Sequence, residues 1–315
     1  MSMPLPVRQR GAALILFFTV MVIAATTIVL GALNNRSPQV QDRINKQIEM
    51  AKIKESLLGY ALSYANYNNT NAGPGRLPCP DTTNDGQMNC SGIITVGRLP
   101  QSLTTTSSGP VFLSDRYVGV DQQFWYAVAT AFRQDTTSLN STHNLAANLL
   151  SVDGALGEYA ALIIAPGPAL DSQVRNAGVQ INGYLEAATD TTATSFISRH
   201  PSDSTLFNDS IIGITGDEVM TYATLQAALE FKRLMLIYLA LPLVANVLPA
   251  DLALLQTALA TLGTPSWFIN DSWASALESY TPSALSSTDI KFQNCDIVYT
   301  FDFSNNTVSR APSSC

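Results

Sequence analysis

The longest apolar segment of the chain is an uncharged run of 22 residues, Ala12–Leu33. At 1.5 Å per residue, a helix of this length reaches roughly 30 Å, the thickness of the hydrocarbon core of a bilayer. A basic cluster that ends in glycine, Arg8-Gln9-Arg10-Gly11, stands immediately before the run. Because arginine and lysine are enriched on the cytoplasmic side of membrane spans, we expect one transmembrane helix over 12–33, with the residues after it outside the cytoplasm.

A polar break and then a helical periodicity follow the apolar run. The break is Asn34–Pro38, where proline removes one backbone donor and disfavours a helical residue before it. Apolar residues then recur at steps of three, four or seven, which is typical of an amphipathic helix. They are Ile44, Ile48, Ala51, Leu58 and Leu62. We therefore expect a stem helix over 34–66 whose apolar stripe lies on a globular head.

Shorter patterns of mixed type fill residues 67–315. Strands are expected at Tyr159–Ala165, Ile211–Ile214 and Asp296–Phe303, the last with a hairpin partner at Thr307–Arg310. Helices are expected at Asp121–Arg133, at Ser141–Leu150 and over Leu225–Leu262, where Pro242 and Pro249 interrupt the pattern. A long helix followed by strands predicts an α+β fold, in which the helix packs on a head with an antiparallel sheet and additional helices.

Leu234–Leu248 is a second candidate for a membrane span. This segment is only about 15 residues long, contains Pro242 and Asn246, and follows Lys232-Arg233. Because a helical span needs about 20 apolar residues, we interpret the segment as a buried helix of the head.

Composition and charge narrow the class of protein. Only 13% of the residues are charged, against about 25% in typical soluble domains. The net charge is −7, and loss of Arg8 and Arg10 would leave 15 basic against 24 acidic residues, or −9. No basic run follows the first eleven residues, which argues against a nucleic-acid partner. This composition favours an extracytoplasmic or assembly-forming protein.

The four cysteines are expected to form disulfides, because an even number outside the cytoplasm favours that chemistry. Three connectivities are open. Cys79 with Cys90 and Cys295 with Cys315 are preferred, since each pair is local and brackets a loop-like segment. A zinc site is the alternative, but ten and nineteen intervening residues do not match paired close ligands.

The loop between Cys79 and Cys90 begins like a calcium-binding loop. Asp81, Thr83 and Asp85 supply oxygen atoms at steps one, three and five, and Gly86 follows at step six. The twelfth position is Gly92, so the usual bidentate carboxylate is missing. The other interpretation is a disulfide-closed turn whose polar side chains satisfy their own backbone. No cofactor is expected beyond this calcium candidate.

The sequence resembles the type IV pilins and the type II secretion pseudopilins. The resemblance rests on Gly11, Ala12 and the apolar stretch Leu14–Phe18, which match a class III leader. Arg76–Asp81, which contains Leu-Pro-Cys-Pro-Asp, is similar to a loop of large minor-pilin-like proteins. The resemblance implies that a prepilin peptidase removes residues 1–11, that Ala12 is N-methylated, and that the apolar helix remains as an anchor. The implied partners are other pilin subunits, the inner-membrane assembly platform and membrane lipid.

One departure from the family pattern concerns the position of a subunit in a filament. The usual glutamate at the fifth residue after the cleavage point is Leu16 here. In the family, that carboxylate is thought to pair with the N-terminal ammonium of a neighbouring subunit. The leucine therefore favours a minor subunit at or near a filament tip. The resemblance also implies that the protein lies in the inner membrane before assembly and on a pilus or the cell surface after it.

Recognisable catalytic patterns are scarce, so we expect a non-enzymatic protein. The two histidines, His143 and His200, lie in Ser/Thr-rich surroundings, and no Gly-x-Ser-x-Gly elbow accompanies them. The adjacent acids Asp217-Glu218 are typical of a helix N-terminus, and the aromatic cluster Trp267, Phe268 and Trp273 is interpreted as core. The alternative hypothesis is a membrane-anchored periplasmic enzyme or binding protein that keeps its N-terminal span uncleaved.

Overall fold

The computed structural model describes most of the chain between Pro38 and Ala311. The described residues are 21–23, 26, 38–67, 72–90, 92–93, 95–105, 109–112, 123–136, 139–142, 149–155, 157–170, 173–175, 180–188, 190–198, 206–242, 247–262, 266–284 and 286–311. They divide into two units, one up to Glu49 and one from Met50 onward. The second unit contains both principal sheets.

Helix α1, Pro38–Tyr67, covers the region where a helix was predicted, and its role as the stem of a membrane anchor stays a prediction. Proline is tolerated at the first turn, where its missing N–H would have no partner within the helix. From Met50 the helix buries a stripe at steps of three and four residues. Its members are Met50, Ile53, Leu57, Tyr60, Ala61 and Tyr64.

The predicted stripe was partly wrong, because Ile48 is 51% exposed and Ala51 is exposed, although Leu58 is buried. Two tyrosines explain the rotated face. The Tyr60 hydroxyl donates to Gln134 Oε1 at 2.6 Å, and the Tyr64 hydroxyl donates to the Gln134 carbonyl at 3.3 Å. Buried tyrosines with satisfied hydroxyls contribute large apolar area, so the helix turns this face to the head.

The first sheet has four antiparallel strands in the order β1-β4-β6-β8. They are β1 (Val96–Arg98), β4 (Trp125–Val128), β6 (Tyr159–Ala165) and β8 (Ser210–Thr215). Strand β6 was predicted with the same bounds, and β8 extends the predicted strand by one residue at each end. All residues of β6 after Tyr159 are buried. A strand covered on both faces reads as a continuous apolar run, which is why it could be predicted from sequence.

Strand β4 corrects the prediction of a helix over Asp121–Arg133. Its four residues are buried between β1 and β6, and a short 3-10 helix, Thr130–Phe132, follows. Trp, Tyr and Val favour a pleated surface, and pairing on both sides outweighs the helical spacing read from the sequence. The predicted helix Ser141–Leu150 lies largely outside the described residues. At its described ends, Ser141 is in a turn and Leu150 bridges to Tyr159.

Helix α2, Gly216–Leu239, packs on β6 and β8. It begins with a capping box, in which the Thr215 side chain accepts from the Glu218 N–H and Glu218 accepts from the Thr215 N–H. This confirms the interpretation of Asp217-Glu218 as a helix N-terminus. The helix also joins α1, since Lys54 Nζ lies 2.7 Å from Glu218 Oε1.

The predicted helical region Leu225–Leu262 is interrupted at both prolines. Helix α2 ends before Pro242, and α3 (Leu252–Thr261) begins after Pro249. Within the segment Leu234–Leu248, Leu234 and Met235 are buried in the core, whereas residues 243–246 lie outside the described part. Across the described residues, the structure contains no helix with the length and apolarity needed to cross a membrane.

The second sheet is an antiparallel meander in the order β12-β11-β10-β9. Its strands are β9 (Leu277–Ala284), β10 (Ser287–Phe292), β11 (Val298–Asp302) and β12 (Thr307–Arg310). The hairpin of β11 and β12 was predicted. Helix α3 packs on β9 and α2, and the short helix α4, Trp267–Asn270, also packs on α2.

Aromatic side chains fill the core beside the second sheet. The ring centroids of Phe231 and Phe301 are 5.1 Å apart, and those of Trp273 and Phe292 are 5.3 Å apart. Phe268 and Trp273 are both fully buried, while Trp267 packs against the core partly buried. The predicted core role of this aromatic cluster is therefore confirmed.

Smaller elements complete the described part of the head. Strands β2 (Ser102–Thr105) and β3 (Gly109–Phe112) pair antiparallel. Strands β5 (Ser151–Val152) and β7 (Ser195–Phe196) pair parallel. A second 3-10 helix, Ile181–Gly183, lies between them in sequence. The mixed helices and antiparallel sheets confirm the α+β class.

Candidate functional site

The residues expected to carry processing lie outside the described part of the chain. Gly11 and Ala12 fall there, and so does the predicted span 12–33 except for Met21–Ile23 and Thr26. Met21, Val22 and Ile23 are helical, and each is about 60% exposed. Leader cleavage, methylation and membrane insertion therefore stay predictions. His143 and His200 also lie outside the described residues.

Cys79 and Cys90 form the predicted local disulfide, with their Cα atoms 5.2 Å apart. Cys79 is fully buried. Cys295 is buried just after β10, and its predicted partner Cys315 lies outside the described residues. The second pairing therefore stays a prediction. The Sγ atoms of Cys79 and Cys90 are bonded to each other, so this pair forms the disulfide and not the alternative zinc site.

The loop closed by this disulfide is organised by the carboxylate of Asp81. One oxygen, Oδ1, accepts from the Thr83 N–H at 3.0 Å and from the Asn84 N–H at 2.7 Å. The other oxygen accepts from the Gly86 N–H at 2.7 Å. Asp85 separately accepts from the Gln87 N–H at 2.9 Å. The Asp81 carboxylate thus bonds to the backbone of its own loop, as expected for a disulfide-closed turn. The calcium site at Asp81, Thr83 and Asp85 stays a prediction.

An arginine that the sequence analysis did not single out braces the disulfide. Arg133 donates to the carbonyl oxygens of Cys90 and Gly92, both at 3.0 Å, and is paired with Asp135. Cys79 Sγ is 3.9 Å from Asp135 Oδ1. The side chains of Arg133 and Asp135 therefore hold the second half of the loop in place.

A second polar arrangement, also missed from sequence, lies directly beside that loop. Arg98 in β1 is bonded backbone to backbone with Asp81, and it faces Trp125 across the sheet. Its guanidinium Cζ is 4.1 Å from the ring centroid of Trp125 and 4.1 Å from that of Tyr184. Because the two centroids are 5.7 Å apart, they subtend nearly a right angle at Cζ. We call Arg98, Trp125 and Tyr184 the aromatic corner.

The aromatic corner contains donors without acceptors. Arg98 is only 1% exposed, and its three guanidinium nitrogens have no well-aligned hydrogen-bond acceptor among the described residues, although the Tyr184 side chain lies close enough to favour the charged form of Arg98. The indole nitrogen of Trp125 is likewise buried and has no acceptor among those residues. Burial lowers the pKa of Arg98, while the neighbouring Tyr184 and Asp81 oppose that shift. Arg98 is the only charged residue of the segment 93–99, and this lone charge is the signal in the sequence that points to this place.

Two carboxylates form a further polar cluster near β8. Asp209 Oδ2 accepts from the backbone N–H groups of Glu186 at 2.7 Å and Ala187 at 3.0 Å. The Glu186 carboxylate accepts from Gln173 Nε2 at 2.5 Å and from the Asn208 N–H at 3.0 Å. Burial, reinforced by the nearby Glu186, raises the pKa of Asp209 to about 7. These contacts tie the loop after the Ile181–Gly183 turn to the start of β8.

No family model, curated protein or solved structure matches this chain.

Proposed function

We propose that the chain is a minor pilin or pseudopilin subunit without enzymatic activity. Residues 12–33 anchor it in the bacterial inner membrane, and its acidic head lies in the periplasm before the subunit enters a filament. The observation that carries the proposal is the order of features: Arg-x-Arg-Gly, an uncharged run of 22 residues, and then a helix of 30 residues. This order is that of the class III leader and stem to which the sequence is similar.

Two structural observations support this proposal. Helix α1 is continuous from Pro38 to Tyr67, and from Met50 it buries a stripe in the head. The head is also closed by the Cys79–Cys90 disulfide, which suits an oxidising compartment. Leu16, in place of the family's glutamate, favours a position at or near the filament tip.

The experiment is the intact mass of the membrane-extracted chain after co-expression with a prepilin peptidase, without reductant. We expect loss of residues 1–11 and one added methyl group on Ala12. Gly11→Glu should block cleavage because it changes the residue at the scissile bond. Ser2→Glu adds the same charge elsewhere in the leader and should be cleaved normally.

Two results of this experiment would contradict the proposal. An uncut wild-type chain, or normal cleavage of the Gly11→Glu variant, would refute the leader assignment. It would favour the alternative of an anchored periplasmic enzyme or binding protein.

A further inference from the structure

We propose that the aromatic corner is a binding site for a carboxylate group carried by a ligand. The inference rests on Arg98, Trp125 and Tyr184 and does not depend on the proposed role in a filament. Neither the disulfide loop nor the predicted leader depends on a ligand at the aromatic corner.

The aromatic corner has more hydrogen-bond donors than acceptors. An arginine side chain offers five N–H donors and no acceptor, and an indole offers one donor and no acceptor. In the aromatic corner, the guanidinium of Arg98 and the indole nitrogen of Trp125 are buried and have no acceptor among the described residues. Buried polar groups in proteins are normally paired, and an unpaired buried donor is costly. The missing group is therefore an acceptor.

The guanidinium of Arg98 is also a buried positive charge. A buried cation normally has a counter-ion, and cation–π attraction from two rings offsets only part of the loss of hydration. Neighbouring carboxylates are engaged elsewhere. Asp81 is bonded to Arg98 through the backbone, but its carboxylate accepts from N–H groups of its own loop. The Asp209 carboxylate accepts from the Glu186 N–H, and the Glu186 carboxylate accepts from the Asn208 N–H. The missing acceptor is thus negatively charged.

The shape and charge of the aromatic corner favour a carboxylate as the ligand. The two rings stand at nearly a right angle around Cζ, which leaves an edge of the planar guanidinium for a ligand. A carboxylate fits such an edge through two parallel hydrogen bonds, and its single charge matches one arginine. The nearby Arg175 already donates to the Gly167 carbonyl at 2.7 Å and to Gln173 Oε1 at 3.2 Å. The site thus offers one uncommitted cation, which suits a monovalent anion better than phosphate.

Entry requires a local opening, because Arg98 is only 1% exposed. Arg98 and Trp125 are held in paired strands of the first sheet. Tyr184 instead follows the short 3-10 helix Ile181–Gly183 and is the member of the corner outside any strand. Displacement of Tyr184 would remove one of the two rings that cover the guanidinium and would leave the pairing of β1 with β4 intact.

The test measures thermal unfolding of the full chain in detergent at pH 7, with sodium acetate replacing sodium chloride at constant ionic strength. We expect acetate to raise the Tm of the wild type by about 2–4 °C, with saturation. Arg98→Met should abolish this dependence, because the variant lacks the donor. Arg310→Met removes an exposed arginine of β12 and should respond like the wild type.

A second measurement needs no change at Arg98. In the wild type, the indole N–H resonance of Trp125, identified with a Trp125→Phe sample, should shift on addition of acetate, while those of Trp267 and Trp273 stay in place. An equal acetate response in Arg98→Met, or an unmoved Trp125 signal, would overturn the proposal. An Arg98-dependent response to sulfate or phosphate that exceeds the response to acetate would overturn the choice of a carboxylate.

Discussion

The buried ion pair between Arg76 and Asp271 gives the sharpest prediction about stability. Arg76 Nη1 lies 2.7 Å from Asp271 Oδ2, and Nη2 lies 3.1 Å from Oδ1. The side chains are 1% and 4% exposed. Gly73 joins the pair, because its N–H donates to Asp271 Oδ2 at 2.7 Å and its carbonyl accepts from Arg76 at 2.9 Å. The pair ties the segment after α1 to the residue that ends α4.

The perturbation is Arg76→Met, which keeps much of the side-chain volume and removes the charge. Asp271 would then be a buried carboxylate without its cation, and its Oδ2 would keep the hydrogen bond from the Gly73 N–H. Breaking a buried pair from one side costs about 3–5 kcal/mol, which is a large part of the 5–15 kcal/mol typical of a domain. We therefore expect a clear fall in the free energy of unfolding.

The assay is urea unfolding of the detergent-solubilised full chain, followed by near-UV circular dichroism. Arg310→Met is the matched control and should change stability by less than about 0.5 kcal/mol, since the residue is exposed. The double variant Arg76→Met/Asp271→Leu should recover much of the loss, because both charges are then gone. A loss below about 1 kcal/mol in Arg76→Met, or no recovery in the double variant, would refute the reasoning.

Three further predictions concern the loop, the sheet and the carboxylate cluster. Cys79→Ser should lower the free energy of unfolding by about 2–3 kcal/mol, because the disulfide closes a loop with a sequence separation of 11; non-reducing urea unfolding would measure it. Gly97→Ala should cost about 1–3 kcal/mol in the same assay, since its Cβ would lie 2.5 Å from the Asp81 carbonyl, whereas Gly59→Ala, with open space around it, should not destabilise. Asp209 has a raised pKa of about 7, so its contribution to stability is fully present below pH 4 and is lost as the pH rises through 7. Relative to Asp209→Asn, the wild type should therefore lose stability between about pH 4 and pH 7, and parallel pH profiles would contradict the assigned cause.

Much of the local structure could be predicted from sequence, and the reasons are visible in particular elements. Strand β6 is a short apolar run that ends before Pro166, and it forms as predicted. Helices α2 and α3 are separated at the two prolines that interrupt their pattern. The Cys79–Cys90 bond was predicted because both residues bracket one short loop. In each case the signal lies within a few consecutive residues.

Other features depended on partners far away along the chain. Strand β4 looked helical, yet pairing with β1 and β6 fixes it as a buried strand. The buried face of α1 includes Met50, Ile53 and Leu57 as well as two tyrosines whose hydroxyl groups donate to Gln134. Two apolar stripes at helical spacing therefore compete within α1, and the packing against the head decided which of them is buried.

The sequence by itself determined the α+β class, a helix in the region of α1, the interrupted helical region and the local disulfide. Helix propensity, proline and proximity along the chain act over short separations, so these features can be predicted from neighbouring residues. The tertiary structure decided which arginines are buried and what surrounds them. Arg76 pairs with Asp271, and Arg98 contacts Trp125 and Tyr184, because the packing of strands and loops brings these distant residues together. The physical reason is that pairing and burial energies depend on distances in space, and for these side chains spatial distance is unrelated to separation along the chain.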